Sequence, residues 1–127
     1  MQTQNRDANA STVANGTLLI SARSIQGTLV YSPTGDDLGR IDDVMIDTAS
    51  GRTVYGILEF GGFLGLGGGH HAIPFAMLRY DGQRDGYVTD LCKEQREKAP
   101  TLDDDWGVSS DWQKRSDDFY GVTPYWL

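Results

Sequence analysis

Gly35-Asp36-Asp37-Leu38-Gly39-Arg40-Ile41-Asp42-Asp43-Val44-Met45-Ile46-Asp47 is the stretch on which the reading of this chain turns. Its opening residues, with Ser32, Pro33 and Thr34 before them, collect the types that favour a turn. From Leu38 onward the residues are β formers, and the spacing predicts a strand over residues 38–47. Its apolar positions are Ile41, Val44 and Ile46, while Met45 has the other parity. Simple alternation therefore slips by one at Asp42-Asp43, and a β-bulge there restores it. The strand predicted over residues 28–31 lies just before the turn, so the two form a hairpin.

The same pattern continues outward. Residues 48–52 form a turn, and residues 53–60 a strand buried on at least one face, with Gly56 marking a bend or a close backbone approach. Residues 61–69 hold six of the sixteen glycines around Phe63, Leu64 and Leu66. Strand 70–73 ends at Pro74, which cannot donate to a ladder. One helical turn follows at 75–78, and strands 79–81 and 87–89 make a last hairpin. Upstream, Ser21 caps a single turn that Gly27 ends. Six short strands with frequent turns predict a mainly β fold, a small antiparallel barrel or sandwich whose closure removes exposed edges. Beyond it, residues 93–99 read as a short exposed helix, and Ser110 caps a second helix running to Tyr120. The expected division is a disordered tail over 1–17, a barrel over 18–90, and a helical, aromatic-rich extension over 91–127.

With these elements in place, the chain resembles the PRC-barrel family. The resemblance rests on Gly35, Leu38, Gly39, Ile41 and Asp47, then on Tyr55, Phe60, Gly61, Gly62, Phe63, Leu64 and Gly65, and on Pro74, Phe75 and Leu78, where a proline and an aromatic close the strand after the glycine loop. It implies a small PRC-type β-barrel of about six strands, used for binding and assembly and not for catalysis. The family is similar to the cytoplasmic part of the photosynthetic reaction centre H subunit and to the C-terminal part of the ribosome maturation factor. The H subunit's membrane helix and the maturation factor's N-terminal domain have no counterpart in this sequence, so the chain is expected to be neither. His70-His71 is a departure, since relatives often carry a lysine in a similar loop; that lysine's role is not carried over.

Composition bounds the function. Eleven basic against eighteen acidic residues give a formal charge of −7, a field that repels phosphate backbones and argues against direct nucleic-acid binding. Cys92 stands alone, so no intramolecular disulfide or cysteine-pair metal site exists. No stretch approaches the roughly 20 consecutive apolar residues of a spanning helix. The polar start lacks a secretory pattern, unless a leader has been removed, and a cytoplasmic protein without membrane insertion is expected.

The glycine loop lacks the third glycine of a dinucleotide fingerprint, because His70 stands in its place, and no lysine-serine or lysine-threonine pair follows. No cofactor is expected. His70 and His71 are the weak metal candidates: as strand neighbours they face opposite ways, and a zinc site would need carboxylates from elsewhere. Asp36, Asp37, Asp42, Asp43 and Asp47 around Arg40 read as a solvated face and turn scaffold, with docking of a basic partner as the functional option. Cys92 has no histidine nearby in sequence and no nucleophile elbow exists, so no enzyme activity is expected. Trp106, Trp112, Phe119, Tyr120, Tyr125 and Trp126 are too aromatic for a disordered tail. They form the candidate interface, docking on their own barrel, on a second copy in a homodimer, or on another protein. The expected function is a protein-binding or assembly module of unknown partner. The alternatives are a small-ligand- or metal-responsive protein using residues 61–71, and a ribosome-associated assembly factor.

Overall fold

The computed structural model describes residues 11–12, 18–60, 69–103, 105–108 and 111–123. Strands β1 (Ser11–Thr12) and β2 (Leu18–Leu19) form a two-stranded antiparallel ladder. The single turn α1 (Ala22–Ile25) follows, capped by the Ser21 hydroxyl, which accepts from the Ser24 N–H at 3.2 Å. The main sheet comprises β3 (Leu29–Tyr31), β4 (Asp37–Ile46), β5 (Thr53–Phe60), β6 (His70–Pro74), β7 (Arg79–Asp81) and β8 (Gly86–Val88), in the order β6-β5-β4-β3-β8-β7. A 3-10 turn at Phe75–Met77 separates β6 from β7. Helices α2 (Lys93–Lys98) and α3 (Asp111–Tyr120) complete the chain.

Six strands of mainly β architecture match the expectation, with one difference in sense. β3 and β8 run parallel, whereas the other four pairs of the sheet are antiparallel. Parallel neighbours require a long crossover. Here the connection is the whole excursion from β4 to β7, which returns the chain to β3 from the far side. Ladder pairing ends at β6 and β7, with no β6-β7 pair among the described residues. Gly86 makes the parallel contact feasible: a Cβ there would stand 2.8 Å from the Leu29 carbonyl oxygen.

The slip in alternation at Asp42-Asp43 is a register shift. Ile41 pairs with Leu58 and Asp43 with Ile57, leaving Asp42 as the extra residue. The bulge turns Val44 toward the same interior as Ile41 and sends Met45 to the opposite face, beside its partner Tyr55. β5 is consequently buried on both sides. Leu58 and Phe60 join Val30, Ile41, Ile73, Leu78, Tyr87 and Leu91 in the barrel core. Tyr55 and Ile57 join Ala72 in a second cluster, which the extension completes with Leu102 and Trp112. α2 is less exposed than its sequence suggests, because Arg96 is buried and donates from Nη1 to the Leu91 carbonyl.

Candidate functional site

The outward face of β4, β5 and β6 carries a polar row set by strand register. Arg40 lies opposite Glu59, and Glu59 opposite His70, so three neighbouring strands align three ionisable residues. Asp42, two residues beyond Arg40 and at the bulge, completes the group. Arg40 donates from Nε to Asp42 Oδ1 at 3.2 Å and pairs from Nη2 with Glu59 Oε1 at 3.0 Å. On the other side of the same carboxylate, His70 Nε2 lies 2.6 Å from Asp42 Oδ2. One ligand atom from each of Asp42, Glu59 and His70 falls within 4.8 Å of the others, and all three residues are half-buried. Of the described residues, this is the one group of three His, Cys, Asp or Glu side chains with the spacing of a metal site.

The two histidines part as strand alternation predicts. His71 turns inward, 5% exposed, with its ring centroid 5.1 Å from that of Phe60. Its Nδ1–H donates to the Pro100 carbonyl at 3.0 Å. Burial holds the His71 pKa below the ordinary imidazole value, and the hydrogen bond to Pro100 opposes that shift only in part.

The other aspartates of the acidic set serve the backbone. Asp37 Oδ1 accepts from the Gly39 N–H, and Asp43 Oδ1 from that of Val44. Thr34 donates to Asp36, and Asp47 accepts from the Ser50 hydroxyl and the Ala49 N–H within the β4-β5 turn. The Ser50 contact is the chief cause that lowers the Asp47 pKa. Cys92 is exposed, and its sulfur caps α2 in a reciprocal arrangement with Gln95.

The candidate interface aromatics divide. Trp112 is 3% exposed and meets Tyr55 edge to face at 4.9 Å, while its indole N–H donates to the Trp106 carbonyl. Trp106 is half-buried against the same cluster, and its ring centroid lies 6.3 Å from that of His70. Tyr120 packs on the barrel core, and Phe119 is 36% exposed. Tyr125 and Trp126 lie outside the described residues. Docking on the chain's own barrel thus accounts for Trp106, Trp112 and Tyr120. The extension is also fastened by the Leu102 N–H, which donates to the His70 carbonyl at 2.8 Å, and by a buried pair in which the Tyr55 hydroxyl donates to Asp117 Oδ1 at 2.7 Å. A cleft of about 240 Å³ lies beside this pair, with Arg52, Thr53, Pro74 and Thr123 among its walls.

Glu59 and Asp117 escaped the reading of the sequence. Glu59 is one carboxylate in an apolar strand, and only register shows that it stands between Arg40 and His70. Asp117 sits 62 residues from Tyr55, in a helix whose docking no local pattern reveals.

A sequence model of the PRC-barrel domain matches residues 19–96, well over half of the chain. The chain belongs to the PRC-barrel family. The PRC-barrel match takes in every strand of the main sheet and reaches α2, leaving α3 and the second cluster's Leu102 and Trp112 beyond it. Comparison with curated proteins returns no match. The signature positions that are described have structural roles: Ile41 and Phe60 are core, Leu38, Tyr55 and Leu78 are buried, and Phe75 packs edge to face on Tyr87. Gly61, Gly62, Phe63, Leu64 and Gly65 lie outside the described residues, as does most of the loop read as a ligand-binding alternative. Among the described residues, no helix is long and apolar enough to cross a membrane.

Proposed function

We propose that this PRC-barrel protein is a non-catalytic binding or assembly module that holds a protein partner. The observation that supports this most directly is how its chemistry-bearing side chains are used. Arg40, Asp42, Glu59 and His70 are paired with one another on the outer sheet face beside the extension, and His71 is committed to a backbone carbonyl. The 240 Å³ cleft lies elsewhere; no histidine, cysteine or lysine is among its described lining, and the one carboxylate there, Asp117, is engaged by Tyr55. A nucleophile and base converging on a cavity, the arrangement that catalysis needs, is not what these side chains form. The formal charge of −7 suits a partner with a basic surface. Homodimerisation belongs to the same reading, because an extension fastened through Leu102 and Trp112 can be exchanged between two copies with its contacts preserved.

The test is a cross-linked pull-down from native extract using the whole chain as bait over a range of salt. A single stoichiometric partner whose capture weakens as salt rises is the expected result. Recovery of the chain alone at every salt concentration would refute the partner. Truncation after residue 100 is unsuitable as a control, since it strips Leu102 and Trp112 from Tyr55, Ile57 and Ala72 and exposes an adhesive apolar face.

A further inference from the structure

The Asp42, Glu59 and His70 group combines three features that an ordinary surface ion pair lacks. Its members project from three adjacent strands: ladder pairing sets Glu59 opposite His70, and Asp42 is the extra residue of the β4 bulge beside them. They are half-buried, and they include an imidazole whose Nε2 already points at a carboxylate oxygen 2.6 Å away. Their ligand atoms lie within 4.8 Å of one another, against about 3.4 Å between neighbouring ligands of a tetrahedral zinc ion, a difference that side-chain rotation closes. Arg40 meanwhile holds one oxygen of each carboxylate, Oδ1 of Asp42 and Oε1 of Glu59, through a side chain that is 53% exposed.

We propose that Asp42, Glu59 and His70 form a binding site for a divalent transition-metal ion, which takes the place of the proton between His70 Nε2 and Asp42 Oδ2, released to solvent, and displaces the Arg40 guanidinium. One imidazole with two carboxylates suits zinc and its first-row neighbours; calcium and magnesium favour all-oxygen sets. Three protein ligands leave the fourth position of a tetrahedral ion to water. Arg40 can be displaced because its side chain is 53% exposed, so the guanidinium can turn into solvent while the divalent ion takes over the charge of both carboxylates. The site also abuts the extension: the His70 carbonyl accepts from Leu102, and the Trp106 ring lies beside the imidazole. The proposal concerns this row of side chains and stands independently of any protein partner.

The experiment is calorimetric titration of the full chain with zinc chloride at neutral pH, carried out in Cys92→Ser so that the exposed thiol does not compete, with calcium chloride as the comparison ion. One equivalent of zinc is expected to bind and calcium not to bind. His70→Gln and Glu59→Gln, each verified as folded by circular dichroism, are expected to weaken zinc binding by about tenfold or more. Arg40→Gln removes the competing cation and is expected to tighten it. No zinc binding up to about 1 mM, or an affinity indifferent to His70→Gln and Glu59→Gln, would overturn the site. Weaker binding by Arg40→Gln would overturn the displacement.

Discussion

Gly39 sits in β4 at φ +152°, and a Cβ on it would lie 2.2 Å from the Glu59 carbonyl oxygen and 2.8 Å from the Phe60 Cα. Both obstacles are backbone, so no side chain can move aside. Gly39→Ala is expected to destabilise the fold by about 2–4 kcal/mol through combined backbone strain and overpacking; urea unfolding measures it, and a loss below about 1 kcal/mol would contradict the close approach. His71 carries a prediction in pH. Its folded pKa lies below the ordinary value of 6.5, so between the two values the unfolded chain binds more protons than the folded one. Stability therefore falls as pH drops from about 7 toward 5, before most carboxylates titrate. Urea midpoints across that interval should decline in the native chain and flatten in His71→Gln. An equal decline in both would assign the acid sensitivity to another group.

At the scale of elements, the bulge in β4 and the docking of α3 belong to one arrangement. The bulge presents Met45 beside Tyr55 on the outer face, and the extension lays Leu102 and Trp112 over Tyr55, Ile57 and Ala72. Trp112→Ala should cost about 3–5 kcal/mol, the range for a buried aromatic. Hydrogen exchange should then quicken in residues 111–120 more than in β4, and uniform protection would contradict the docking. Tyr55→Phe removes the hydroxyl that donates to Asp117 Oδ1, and Asp117 Oδ2 is buried with no hydrogen-bond partner among the described residues. A loss of about 1–3 kcal/mol is expected by thermal or urea unfolding, larger than deletion of an exposed hydroxyl produces.

At the scale of the molecule, the two apolar clusters share β5, one on each of its faces. Barrel and extension should therefore unfold together. All three tryptophans lie in the extension while the strands dominate the rest, so tryptophan fluorescence and far-ultraviolet circular dichroism report different parts. Coincident urea transitions by the two probes are expected; an earlier fluorescence transition would show the extension to be a separate unit. Light scattering against the chain mass of 14.0 kDa tests the proposed dimer directly.

The strands, the bulge and the family were legible in the sequence because each rests on local pattern. A run of β formers marks residues 53–60, parity slips at Asp42-Asp43, turn formers bound the hairpins, and the glycine and proline positions carry the PRC-barrel signature. Opposed directions for His70 and His71 were likewise a local consequence of the strand pleat. What tertiary structure alone decided is held by contacts between distant residues. These are the parallel pairing of β3 with β8, the alignment of Arg40, Glu59 and His70 across three strands, and the Tyr55-Asp117 pair. Each depends on how ladders are registered and helices docked, a choice made by burying the whole apolar surface at once, which no short window of residues contains.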